Sequence, residues 1–476
     1  MDISSLFKVI GPWLEKPSDR SLRYKRWALQ EIGAGINFKR GQGKAVYIST
    51  YGCQMNVHDT ERMYSLLEMA NYTSVGTPEQ ASLIIINSCS VREKPVHKLH
   101  SEVGRYKRAK AKNPGLKIGV AGCVAQQEKD RILRDIPLVD FVMGTDAIDQ
   151  LPKIVSDLHC QEKLVSARFE HQRPYHIETL VREPGVASLV NIMKGCDNFC
   201  TFCVVPFTRG RERSRPLEDV LSDVKALVRR GVKEVTLLGQ NVNSYQSECG
   251  ANFGQLLETL AQETDISRIR FTTSHPKDFN HELVELMQAN RDKVCKSIHL
   301  PVQSGNSKVL ERMNRGYTRE EYIEKAHMIL ELMPGAALST DIIVGFPGET
   351  AAQFEDTLSL LEKVPYESLF AFKYSPRPFT KAARWEDQVT DQEKSARLDS
   401  LFKRHHKIAF DLAQGYRGQS VQVLVEKFDS TSGRCTGRST QNKLVHFNGR
   451  KELIGQIVAV EVKEAFPQTL QGELID

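Results

Sequence analysis

Between residues 43 and 160, short apolar runs alternate with segments of helical spacing. The runs are "AVYIST" (45–50), "SLIIINS" (82–88) and "LKIGVAG" (116–122). The second is continuously apolar, as suits a strand buried on both faces. Helical patterns lie between and after them: "DTERMYSLLEMA" (59–70), "KPVHKLHSEVGRYKRAKA" (94–111) and "AQQEKDRILRDI" (125–136). Strand and helix alternating at this interval predict an α/β fold with a doubly wound parallel sheet. A second series begins near 188, with strand candidates at 188–193, 233–238, 268–273, 296–300, 338–344 and 367–372. Pro216 at a first helical position and Gly231 as a stop bracket one intervening helix. Thr318 with Glu321, and Thr350 with Gln353, form capping boxes that open two more. Six βα units predict a partial βα barrel. After about 416 the period shortens: "SVQVLVEKF" (420–428), "RCTGRST" (434–440), "LVHF" (444–447) and "IGQIVAVEVKEAFPQTLQGEL" (454–474) read as alternating strands of a small antiparallel β-barrel.

These patterns divide the chain into an N-terminal extension (1–42), an α/β domain (43–160), a barrel domain (182–414) and a C-terminal domain (416–476). A chain of 476 residues has room for that many cores. The run of about 18 apolar residues needed to span a membrane is missing. The opening "MDISSLFKVIGPWLEKPSDR" does not read as a secretory signal. Its acidic residues Asp2, Glu15 and Asp19 argue against a mitochondrial transit peptide, so a cytoplasmic location is expected. In a reducing compartment the ten cysteines are ligands, catalysts or core residues rather than disulfides.

Three cysteines repeat one placement. Cys53, Cys89 and Cys123 each follow a strand end by one to three residues, spaced 36 and 34 residues apart. In a parallel sheet such positions converge on one edge, where ligands bind. The placement points to a shared metal site; the alternative is three small buried hydrophobes. Cys160, Cys249, Cys295 and Cys435 show no such placement. A second group is local. Cys196, Cys200 and Cys203 form C-x₃-C-x₂-C in "GCDNFCTFC", after the strand 188–193. Three close thiolates without a fourth Cys or His nearby suit structural zinc poorly, since that site closes with four ligands. They suit a four-iron cluster with one iron open. A zinc knuckle remains the alternative.

The spacing, with Phe202 before the last cysteine, resembles the signature of the radical S-adenosylmethionine (SAM) enzymes. Polar residues at the ends of the following strands then mark a candidate SAM site: Gln240, Asn241, Ser274, Gln303 and Gly345. Gly, Asn and Ser are also ordinary βα-turn residues. The usual second-strand pattern of that superfamily is Gly-Gly-Glu; here it is Gly239-Gln240-Asn241. No side chain, His275 and His299 included, is assigned as a general acid or base.

With three further cysteines on an N-terminal sheet, the chain is similar to the methylthiotransferases, and most to the branch that modifies tRNA. The matching stretches are "STYGCQMN", "NSCSVREKP", "GCDNFCTFCVVPFTRGRERSR", "LLGQNVNSY", "HLPVQSG" and "STDIIVGFPGET". The resemblance runs from about residue 43 to the C-terminus. The branch acting on a ribosomal-protein aspartate usually has Pro-Lys after the first cysteine, where this chain has Gln54-Met55. The resemblance implies two 4Fe-4S clusters. One, on Cys196, Cys200 and Cys203, would bind and reductively cleave SAM, using an external electron-donor protein. The other, on Cys53, Cys89 and Cys123, would carry the sulfur. It also implies transfer of a methylthio group to C2 of N(6)-dimethylallyladenosine in the anticodon loop of a tRNA, by a monomer. Alternatives are another tRNA base, a ribosomal protein side chain, or a non-catalytic metal-bearing RNA-binding protein.

Two charge patterns bear on RNA. Arg209, Arg211, Arg213 and Arg215 occupy every second position, and an extended segment would put them on one face. The helix expected at 94–112 carries Lys94, Lys98, Arg105, Lys107, Arg108, Lys110 and Lys112 against Glu102; such a face suits an RNA backbone or plain solvation. The tail resembles the TRAM RNA-binding domain, although its charge is nearly balanced. Phe428, Phe447 and Phe466 are expected mostly in its core.

Overall fold

The computed structural model describes residues 44–90, 93–158, 163–169 and 184–475, with the single positions 175, 177, 179 and 181. The extension 1–42 and Cys160 lie outside these residues, as do the side chains of Lys94 and Lys98.

The first sheet is wholly parallel and has six strands: β1 (Lys44–Tyr51), β2 (Tyr72–Ser74), β3 (Leu83–Ser88), β4 (Lys117–Ala121), β5 (Phe141–Met143) and β6 (Leu164–Ser166), in the order β2-β1-β3-β4-β5-β6. Every residue of β3 is buried. Alternation sends Leu83 and Ile85 to one core, with Met63 and Leu67, and Ile84 and Ile86 to the other, with Leu99 and Val103. The expected doubly wound sheet is therefore present. β2, β5 and β6, of three residues each, are additions. The helices differ more. The pattern at 94–111 divides at Tyr106 into Glu93–Arg105 and Lys107–Lys112. The pattern at 125–136 divides at Lys129, whose φ of 50° cannot continue a helix, into Cys123–Glu128 and Asp130–Asp135.

Next come β7 (Ala187–Asn191) and the short antiparallel pair β8 (Met193–Lys194) and β9 (Arg213–Ser214). β10 (Glu234–Leu238), β11 (Arg268–Phe271), β12 (Ser297–His299), β13 (Ala337–Val344) and β14 (Tyr366–Lys373) complete the expected six strands. β7, β10 and β11 form one parallel sheet, and β12, β13 and β14 another. A parallel bridge between Ile269 and Val294 joins them into a partial barrel. Both expected capping boxes form, at Thr318 and Thr350. Pro216 is the N-cap residue of its helix, one place before the first helical position.

The tail is a closed five-stranded barrel. Its strands are β15 (Ser420–Asp429), β16 (Arg434–Ser439), β17 (Leu444–Asn448), β18 (Ile457–Ala465) and β19 (Thr469–Leu474), in the order β15-β16-β17-β19-β18. Phe447 fills its core, Phe428 packs at the edge of that core and Phe466 is exposed. The 24-residue helix Asp391–Gln414 leads into it along β14. Two buried arginines of β11 clasp it. Arg268 donates to the carbonyls of Arg438 (2.6 Å) and Gln422 (2.8 Å). Arg270 donates to those of Ser439 (2.6 Å) and Thr440 (3.1 Å), and its Nε pairs with buried Glu234 at 2.8 Å.

Arg270→Ala leaves Glu234 buried without its cation. Breaking a buried pair from one side costs about 3–5 kcal/mol. The expected outcome is a lower denaturant midpoint and trypsin release of the C-terminal barrel. An equally stable, uncleaved variant would mean that the remaining contacts, Arg268's included, hold the barrel without Arg270.

Candidate metal centre: two thiol triplets

The parallel register brings the first three cysteines together. Tyr51 lies beside Ser88, and Asn87 beside Ala121, so β1, β3 and β4 end level. Gly52, Cys89 and Gly122 follow at once. Both glycines have positive φ, 131° and 88°. A Cβ on Gly52 would stand 2.3 Å from Cys89 Cβ, and one on Gly122 would stand 2.4 Å from Asn87 Oδ1 and 2.7 Å from the Ser88 carbonyl. Only glycine permits chains this close. Cys53 caps the helix Gln54–Met69, and Cys123 opens the helix Cys123–Glu128.

The Cys89 thiol lies within hydrogen-bonding reach of both Cys53 and Cys123. That contact, and the nearby Arg209 charge, lower Cys53 and Cys123 below the ordinary thiol value, whereas the same two contacts and burial push Cys89 far up. A supporting layer fixes the edge. Asn56 Nδ2 donates to Asn87 Oδ1 (2.9 Å), and Asn87 Nδ2 donates to the Asn56 carbonyl (2.8 Å) and Thr60 Oγ1 (3.0 Å). Cys53 donates to Asn56 Oδ1 at 3.3 Å.

The second triplet sits in the loop after β8. Gly195 has φ 85°, and a Cβ there would lie 2.0 Å from the Arg211 carbonyl. Its amide donates to Gln240 Oε1, and the Cys196 amide to the Gly210 carbonyl. Asn198 Nδ2 contacts Cys196 Sγ at 3.4 Å. Buried Arg315 contacts Cys200 Sγ at 3.4 Å, with its other nitrogens on Tyr317 Oη (2.9 Å) and the Pro301 carbonyl (2.7 Å). Burial raises Cys196 to about 11 and Cys203 to about 12. These are thiols until a metal deprotonates them. Among the described residues no three His, Cys, Asp or Glu side chains are grouped as ligands of one metal ion; in an iron–sulfur cluster each thiolate can bind its own iron. The two glycine-limited, thiol-lined edges fit such clusters.

The two triplets are near neighbours. Arg209, six residues after Cys203, contacts Cys123 Sγ through Nε at 3.3 Å. Six residues span at most about 20 Å, and here part of that path is the helix Val205–Thr208. Thr145 Oγ1 donates to the Thr208 carbonyl at 2.8 Å. Lys194 pairs with Asp146, and Arg213 with the same carboxylate at 2.8 Å.

The alternating arginines do not form one face. Only Arg213 and Ser214 are strand, and each guanidinium turns to a different partner: Arg209 to Asp59, Arg211 to Asp197, Arg213 to Asp146 and Arg215 to Asp223. The basic helix face is also reduced, because Lys110 pairs with Asp140 and Arg105 with Glu102. Sequence reasoning did not single out Arg315, Asp59 or Asp146. None of them sits in a local pattern with the group it serves.

The five candidate SAM residues all follow C-terminal ends of barrel strands. Asn241 donates to Asp278 (2.7 Å); among the described residues its Oδ1 is buried without a partner, as is Ser274 Oγ. Gln303 has φ 77° and bridges to β13. The Gly345 amide donates to Glu349 at 2.6 Å. Gln240 is turned to Gly195. His275, unpartnered at Nε2 among the described residues, is lowered to about 2 by burial and by Arg315, and stays neutral. His299 bonds Ser339 and stands 3.5 Å from Asp341. Cys295 and Cys435 are buried and Cys249 exposed.

A partial barrel with a C-x₃-C-x₂-C loop, joined to a thiol-edged parallel sheet, defines a radical-SAM enzyme. Family models agree: uncharacterized protein family UPF0004 over residues 45–144, the radical SAM superfamily over 190–361 and the TRAM domain over 414–475. The fold is similar to that of the radical S-adenosylmethionine methyltransferase TsrM of Kitasatospora setae, at TM-score 0.53 and 12% identity, covering 71% of this chain and 77% of that one. A Bdellovibrio bacteriovorus protein named tRNA-2-methylthio-N(6)-dimethylallyladenosine synthase is 61% identical over 91% of this chain and 96% of its own length. Proteins of the same name from Carboxydothermus hydrogenoformans and Bacillus subtilis are each 43% identical over 91% of this chain, covering 99% and 86% of their own lengths. The chain belongs to the tRNA-2-methylthio-N(6)-dimethylallyladenosine synthase family.

Gly122→Ala forces a side chain into Asn87 and Ser88 and spreads the first triplet only. After anaerobic reconstitution it is expected to bind about half the iron of the parent chain. Full iron content would show that the edge tolerates the spread.

Proposed function

We propose that this enzyme places a methylthio group on C2 of N(6)-dimethylallyladenosine in the anticodon loop of tRNAs, using two 4Fe-4S clusters, SAM and an external electron-donor protein. The observation that carries the reading is the pair of thiol triplets on adjoining strand edges, one on each domain, with Arg209 spanning between them. The names of the family's members supply the substrate.

Cys196, Cys200 and Cys203 hold the SAM-binding cluster, and Cys53, Cys89 and Cys123 the sulfur-bearing one. The adenine C2–H is not acidic enough for a side-chain base, and no residue is given that role. When bound, the two clusters and SAM supply the homolytic and sulfur-transfer chemistry that side chains lack. The chain itself binds, orients and shields. Asn241 Oδ1 and Ser274 Oγ, buried without partners among the described residues, are acceptors for a polar ligand at the barrel mouth. Gln303 and Gly345 shape that mouth, and Gln240 braces the cysteine loop through Gly195. Arg315 holds Cys200 from the barrel side. The units 43–160, 182–414 and 416–476 act as sulfur-carrying, SAM-cleaving and RNA-binding parts of a cytoplasmic monomer. Among the described residues no helix is long and apolar enough to cross a membrane.

Replacing Cys196, Cys200 and Cys203 together by alanine is expected to leave about four of about eight irons, with SAM cleavage and tRNA turnover lost. Iron, Mössbauer spectrum and product nucleoside are measured together. A triple variant without iron would remove the second cluster from the scheme. Equal turnover of tRNA lacking the dimethylallyl group would remove the substrate assignment.

A further inference from the structure

Arg209 comes from the segment that follows the barrel-domain cysteines, yet its guanidinium is buried at the edge of the other sheet, with its side chain 4% exposed. Its three nitrogens have three fates. Nε contacts Cys123 Sγ at 3.3 Å. Nη1 pairs with buried Asp59 at 2.7 Å. Nη2 is buried and has no partner among the described residues. A buried donor left unpaired costs about 1–3 kcal/mol. That cost is avoided when a group bound at Cys123 supplies a second acceptor.

We infer that Arg209 is a positioning residue for the N-terminal cluster: it reaches across from the barrel domain, donates to the Cys123 sulfur and to a second sulfur of the bound group, and sets that cluster's reduction potential. The inference rests on the reading of Cys53, Cys89 and Cys123 as cluster ligands. Net charge, hydrogen bonds to sulfur and solvent exposure fix such potentials. A buried cation acts through a low dielectric, so it favours the reduced, more negative state. Asp59 offsets part of that charge and fixes the guanidinium. Arg315 makes the corresponding contact to Cys200, so each triplet has one buried arginine on one sulfur. Only Arg209 takes its place from a different domain than the thiol it serves.

The test uses the full chain carrying Cys196→Ala, Cys200→Ala and Cys203→Ala, reconstituted with iron and sulfide, so that one cluster reports. Its midpoint is read by EPR-monitored redox titration, alone and with Arg209→Met, Arg209→Lys or Asp59→Asn. Arg209→Met is expected to shift the midpoint to lower potential, Arg209→Lys to restore most of the shift, and Asp59→Asn not to lower it. A simple tie between domains would instead make Arg209→Met and Asp59→Asn alike, with less thermal stability and an unmoved midpoint; that result overturns the inference. A Met variant that holds no iron while the Lys variant holds it supports the role. Loss of iron in all three overturns it. A triple-alanine chain that binds no iron overturns the ligand reading, and this inference with it.

Discussion

Strand polarity is the constraint from which the rest of the molecule follows. Parallel strands in register all end on one edge, so groups remote in sequence arrive there together. The first sheet delivers three thiols in this way, and the barrel strands deliver Asn241, Ser274, Gln303 and Gly345. Strand order alone does not turn the two edges toward each other. Buried ion pairs do: Arg209 with Asp59, and Asp146 with Lys194 and Arg213. Such pairs add little net stability, because desolvation offsets their attraction. They penalise any other seating of the domains, since each would leave an unpaired buried charge.

Much of this was legible in the sequence, for a physical reason. Cys53, Cys89 and Cys123 each follow an apolar run directly, so a strand edge could be inferred without any tertiary information. The longer strands of the first sheet and of the partial barrel were visible through their apolar runs, and the C-terminal barrel through its short alternating ones. β2, β5 and β6 were not: each has three residues, and unlike the equally short β12 none was picked out by its place in a series of βα units.

What stayed hidden was the pairing of charged groups. The arginines at 209, 211, 213 and 215 look like one row only if the segment is extended, and it is extended for two residues. Each of them answers a carboxylate from a different element. Asp59 and Asp146 lie 150 and 67 residues before Arg209 and Arg213, and nothing near them in the chain marks the connection. Position at a strand end was readable for Gln240; its turn toward Gly195 was not, since that depends on the fold of the cysteine loop.

The clasp on the C-terminal barrel has a different consequence. The hydrogen bonds that Arg268 and Arg270 make to the barrel, among the described residues, go to four main-chain carbonyls, at Gln422, Arg438, Ser439 and Thr440. Every amino acid at those positions presents the same acceptor. Through these four bonds seating does not depend on residue identity, whereas the buried Lys443–Glu367 pair at 2.8 Å ties it to one barrel side chain. Substitutions at those four positions leave the clasp's acceptors in place, so the sequence of these strands can drift while the barrel keeps its seat.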